Sequence, residues 1–162
     1  MADSEALTEF KRGVRLLRDG HPGNALIHFR CAADLEKQNP YYLSFCGVAL
    51  ARAEKRWPAA LKLCETALSM KRNEAQLYLN LAEVYVSAGQ RDDALATLEK
   101  GLRCLGRDAR IARARKKLGS RRSPVLPFLE RHNFLNRHLG SLRHRLLAWA
   151  VGPRVPLLDS TS

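Results

Sequence analysis

The chain has 162 residues, 46% of them hydrophobic and 27% charged, the composition of a folded domain rather than of a linker-dominated chain. Its formal net charge is +12, and the excess is local: residues 1–106 hold 15 Lys and Arg against 13 Asp and Glu, whereas residues 107–162 hold 13 against 3. Four cysteines form no Cys-x-x-Cys pair, which argues against a thiolate metal site; they are expected to be reduced residues, buried or half-buried within helices, and neither a metal nor a cofactor is expected.

Apolar periodicity with start and stop signals predicts helices over about 4–19, 23–37, 40–54, 58–71, 74–88, 92–105 and 108–118. Gly20 and Gly89 suit left-handed stops after the first and fifth. Asn39 with Pro40 opens the third and Pro58 the fourth, while Asn73 followed by Gln76 reads as a capping box for the fifth. Ile111, Ala114 and Leu118 give the seventh a thin apolar stripe, as in a helix that caps an array. Prolines then predict an extended connector over 119–131, a basic amphipathic helix over 132–152 and a disordered end over 153–162.

Self-similarity organises the first two thirds. The pair Ala25-Leu26 returns as Ala60-Leu61 and Ala94-Leu95, at steps of 35 and 34 residues. Gly13, Leu16 and Gly20 precede Ala25, Phe29 and Ala32; Gly47 and Leu50 precede Ala60, Cys64 and Ala67; Tyr78, Leu81, Ala82, Tyr85 and Gly89 precede Ala94, Leu98 and Gly101. The second set carries one extra residue, placed by the sequence at the turn around Lys55-Arg56-Trp57. Small residues at fixed places let two antiparallel helices approach closely, and large ones fill the spaces between pairs. This pattern resembles the tetratricopeptide repeat, whose helix–turn–helix units recur at about 34 residues. The resemblance covers residues 5–106 and implies an all-α, right-handed superhelical array of three repeats with a capping helix, residues 4–118 forming one domain. Glu9 and Leu43 depart from it, standing where the first helix ordinarily opens on an aromatic residue.

In such arrays the first helix of each unit lines a concave groove. The resemblance therefore places Leu7, Phe10, Val14 and Leu17 there from the first unit, Tyr41, Phe45 and Val48 from the second, and Leu79, Asn80, Glu83 and Val86 from the third. That lining is expected to be apolar and to take an amphipathic helix or an extended apolar peptide. Related domains grip acidic chaperone tails with Lys, Asn and Arg; at the matching places stand Phe10, Val14, Phe45, Gln76 and Asn80, so that clamp is missing. Small bacterial secretion chaperones are also similar in size and repeat number, but they are acidic and this chain is basic.

Beyond the array, Arg113, Lys116, Lys117, Arg121 and Arg122 belong to a basic patch. It could track phosphates, but no nucleic-acid-binding signature accompanies it and specific nucleic-acid binding is not expected. Leu135, Leu139, Leu142, Leu146 and Trp149 form one stripe with Arg and His on the other faces. Three destinations are open for that helix: its own repeats, an anionic membrane surface, or a second protein, including a second copy of the chain. No Gly-x-Ser-x-Gly, phosphate loop or His-Glu-x-x-His is present, and no enzymatic activity is expected. The residues before Leu7 are acidic and lack an apolar core, so no signal peptide is expected and the cytoplasm is the expected compartment, with membrane association as an alternative. The expected function is a protein-binding adaptor or chaperone-like module, the alternative being a peripheral membrane or assembly factor acting through the basic helix.

Overall fold

A computed structural model describes residues 4–119. Seven helices make up the regular structure of these residues: α1 (Glu5–Arg18), α2 (Pro22–Leu35), α3 (Pro40–Glu54), α4 (Trp57–Met70), α5 (Ala75–Ser87), α6 (Arg91–Leu105) and α7 (Ala109–Gly119). All bounds fall within two residues of the predicted ones. The expected connector from 120 onward, the amphipathic helix, the disordered end, and with them Arg121, Arg122, Leu135, Leu139, Leu142, Leu146 and Trp149, lie outside the described residues.

Local chemistry sets the ends. Ser4 caps α1, its side chain accepting from the Leu7 amide at 3.3 Å, with Glu5 in the first turn and Arg15 and Arg18 in the last, matching the helix dipole. Asn39 caps α3, accepting from the Tyr41 amide at 3.1 Å. Proline occupies the first turn of α2, α3 and α4, where no helical donor is lost. The turns after α1 and α5 close in the same way: His21 N–H donates to Leu16 O and Gln90 N–H to Tyr85 O, both at 2.9 Å, around Gly20 (φ 84°) and Gly89 (φ 79°). The turn after α3 has no glycine, and Lys55 takes the left-handed conformation at φ 54°. The extra residue of the second repeat lengthens α3 and leaves only Lys55 and Arg56 between α3 and α4, which corrects its expected place in the turn. The expected Asn73–Gln76 box does not form either; Glu74 rather than Asn73 precedes α5, which puts Gln76 at the second helical position instead of the third, and no side-chain cap bond is made.

Each hairpin packs through a contact that only a missing Cβ permits. A Cβ on Gly47 would lie 2.6 Å from Cys64 Sγ and 2.8 Å from the carbonyl oxygen of Ala60; one on Gly13 would lie 2.7 Å from the Phe29 ring. The third repeat inverts the arrangement. Its glycine, Gly101, is on the second helix, and a Cβ there would meet Cγ of Tyr78 at 2.9 Å. Ala25, Ala60 and Ala94 are fully buried, as are Phe29, Leu77, Tyr78 and Leu98. Phe10, Phe29, Tyr42 and Phe45 form an aromatic cluster joining the first repeat to the second, with Phe10 and Phe45 edge to face at a centroid distance of 5.2 Å. Ile111, fully buried, seals the last repeat from α7. Cys46 and Cys64 are core residues, but Cys31 and Cys104 are exposed, against expectation. Cys31 sits one residue before Ala32 of the buried row, and Cys104 falls beside the row Ala94, Leu98, Gly101 rather than on it.

Candidate functional site

The first helices of the three repeats wall one concavity of about 220 Å³. Helix α1 contributes Val14, Leu17 and Arg18, α3 contributes Phe45, Val48 and Arg52, and α5 contributes Gln76, Asn80 and Glu83. Two larger hollows lie elsewhere. One, of about 540 Å³, surrounds the α2–α3 connection and Lys71; the other, of about 330 Å³, lies among α4, α5 and α6. Neither takes walls from all three repeats.

The concavity is less apolar than expected. Val14, Leu17, Phe45 and Val48 form its apolar part, but Arg18, Arg52, Gln76, Asn80 and Glu83 share it. Arg18 and Arg52 are not among the groove residues expected from the sequence. Each lies one turn beyond a groove valine, Val14 or Val48, and the two are one repeat apart. Arg52 Nε donates to Glu83 Oε1 at 2.7 Å across the α3–α5 gap, a pair exposed enough to contribute no more than about 1 kcal/mol. Arg18 has no ion pair among the described residues.

Asn80 is 3% exposed and both ends of its amide are engaged. Its Nδ2 donates to Ser44 Oγ and its Oδ1 accepts from Gln76 Nε2, each at 2.8 Å. Ser44 is itself fully buried on α3, so this chain of bonds fixes the second repeat against the third.

The other expected groove residues are elsewhere. Phe10 turns into the aromatic cluster. Tyr41 borders the hollow at the α2–α3 connection, with Lys71 Nζ 5.5 Å from its ring centroid and the Glu74 carboxylate accepting from its hydroxyl, which raises the phenol pKa. Lys71 and Glu74 also pair at 2.7 Å, and the lysine holds the carboxyl below its ordinary range. Leu7 and Leu79 are half-buried away from the concavity, and Val86 is exposed. Glu9 stays outside the core: its Oε2 lies 2.6 Å from His28 Nδ1 on α2, and that hydrogen bond keeps its carboxyl below the usual value.

Of the basic patch, Arg113, Lys116 and Lys117 lie exposed on α7. Among the described residues no group of His, Cys, Asp and Glu could hold a metal ion, and no helix is long and apolar enough to cross a membrane.

Residues 51–118, from the end of α3 through α7, match a family model described as tetratricopeptide repeat. Over that stretch the chain is similar to tetratricopeptide repeats. Solved tetratricopeptide domains share the fold at low identity. The first such domain of Spaghetti, bound to an HSP90 peptide, gives a TM-score of 0.60 at 17% identity, over 74% of this chain and 96% of that one. The Sgt2 domain from Aspergillus fumigatus gives 0.61 at 15%, over 98% and 92%. The Yersinia enterocolitica type III secretion chaperone SycD, in complex with a peptide of the translocator YopD, gives 0.59 at 13%, over 73% and 90%. These identities establish a shared fold and nothing finer. No curated protein matches the sequence.

Proposed function

We propose that the tetratricopeptide array is a protein-binding module, adaptor or chaperone-like, that takes a polypeptide segment against the concavity of α1, α3 and α5. The observation that carries this reading is that one hollow is walled by the first helices of all three repeats. Similar folds have been captured with peptides, an HSP90 peptide on Spaghetti and a peptide of YopD on SycD.

The chemistry of the walls favours an apolar anchor on the guest. A hollow of 150 Å³ is roughly enough for a benzene-sized group, so about 220 Å³ accommodates one leucine or phenylalanine side chain among Val14, Leu17, Phe45 and Val48. Polar groups at the rim would orient the guest backbone. An acidic chaperone tail is a poorer fit. The places expected to hold a cationic clamp carry Phe10, Val14, Phe45, Gln76 and Asn80, and the Asn80 amide is already engaged by Ser44 and Gln76.

Display selection of random peptides on the full chain tests this. Recovered binders should share an apolar residue, and Val14→Glu should weaken them at least tenfold, about 1.4 kcal/mol, while leaving the melting temperature within a few degrees. Peptides that bind Val14→Glu as tightly as the wild type would place the binding site elsewhere.

A further inference from the structure

Charge in the array is partitioned sharply. Residues 1–99 carry 13 Lys and Arg and 13 Asp and Glu, whereas residues 100–119 carry eight Lys and Arg and one acid, Asp108. Folding brings that excess to one end. Helix α7 turns Ile111, Ala114 and Leu118 inward and leaves Arg110, Arg113, Arg115 and Lys116 exposed. Arg115 holds Glu99 of α6 through Nε and Nη2 at 3.1 and 3.0 Å, which keeps this side of α7 against α6. Arg103 lies one turn beyond Glu99 on the same face of α6, and Arg107 lies in the connection between the helices. Both available acids are taken, Glu99 by Arg115 and Asp108 by Arg110. Arg103, Arg107, Arg113 and Lys116 have no ion pair among the described residues.

We propose that the outer face of α7, with the end of α6, is a second docking surface, separate from the concavity, for an acidic helical segment of a partner protein. Charge complementarity names the partner. The cations of α7, from Arg110 to Lys117, recur at helical spacing over about 10 Å, so Asp or Glu at i, i+3 and i+7 of a second helix meets them in register. Ala109 and Ala112, both exposed between the basic side chains, let such a helix come close. A lipid surface is the poorer match, because the outward residues of α7 include no large apolar side chain to insert. A nucleic acid is poorer too, because no aromatic residue stands between Tyr85 and Gly119 for bases to stack on.

The test is fluorescence anisotropy on the full chain at 50 mM salt. The probe is a labelled 16-residue alanine-based helix with glutamates in one stripe. An isomer with the glutamates spread around the helix, a single-stranded oligonucleotide of equal charge and phosphatidylserine vesicles run beside it. The striped helix should bind at least threefold tighter than its isomer and tighter than the oligonucleotide or vesicles. Arg113→Glu with Lys116→Glu should weaken it at least tenfold, while Lys37→Glu with Lys62→Glu, the same change in net charge on other exposed sites, should cost less than threefold. Equal losses in the two double variants, equal binding of the two helices, tighter binding of oligonucleotide or vesicles, or no binding of the striped helix would each overturn the proposal. Circular dichroism confirms that both double variants remain folded.

Discussion

Replacing Gly47 by alanine should destabilise the array even though alanine is the better helix former. The new methyl would sit 2.6 Å from Cys64 Sγ and 2.8 Å from the carbonyl oxygen of Ala60. Cys64 has no room to turn, being fully buried, and the oxygen belongs to the backbone of α4. The two helices must therefore separate by a large part of an ångström, loosening the contact that Ala60 makes with α3. Overpacking at a contact this rigid costs about 2–3 kcal/mol, and the helix propensity of alanine returns up to about 1. The net loss is about 1–2 kcal/mol. With an unfolding entropy of about 2.1 cal/mol/K per residue, that is a fall in Tm of roughly 4–8 °C for a domain of this size. Gly23→Ala is the matched control. Gly23 lies in the first turn of α2 with nothing within 4 Å of a built Cβ, so alanine there should leave Tm unchanged or raise it by about 1–3 °C. Thermal melts by circular dichroism distinguish the two. A Gly47→Ala protein that melts at or above the wild type, or a Gly23→Ala protein that loses as much, would refute the claim that close helix approach fixes the glycine.

Asn80→Ala should cost about 1–3 kcal/mol in urea unfolding, since it leaves a buried serine hydroxyl without its donor. Combined with Ser44→Ala the loss should fall short of the sum by at least about 0.5 kcal/mol, and strict additivity would deny the α3–α5 bond. The thiols should divide by burial. In native protein at pH 8, Cys31 and Cys104 should react with an aromatic disulfide reagent within minutes. Cys46, with its thiol pKa raised by burial, and Cys64, whose thiol is pushed up to about 12 by the same cause, should react only on unfolding. A third fast thiol in the native state would contradict the packing of α3 on α4.

What the sequence disclosed followed from what repeats. Ala25, Ala60 and Ala94 come back at near-constant steps because helix pairs need small residues at one recurring place, and the structure buries all three. Gly20 and Gly89 were legible because a left-handed stop admits few other residues; the stop at Lys55 was not, because lysine gives no such sign. The missed features depend on tertiary partners. Gln76 resembles a capping residue until α5 is seen to start at Ala75; its amide instead donates to Asn80, which Ser44 of the neighbouring repeat holds in place. Phe10 looks like a groove residue on a helical wheel, but the neighbouring repeat supplies Tyr42 and Phe45, and its ring packs against them, whereas Phe45 also keeps its place in the concavity. Arg18 and Arg52 carried a readable sign, their separation by one repeat, which apolar periodicity alone passes over.

Because the concavity borrows its walls from three helices that are not consecutive in the chain, its width records how the helix pairs are stacked. The aromatic cluster governs the spacing on one side and the Ser44–Asn80 bond on the other. Fraying of α1 at the chain's beginning would remove Val14, Leu17 and Arg18 together, and would abolish the hollow while most of the helices stayed intact. A guest seated there would act as a brace on the terminal pair, and protection of α1 amides from hydrogen exchange would report its arrival before any change in helix content.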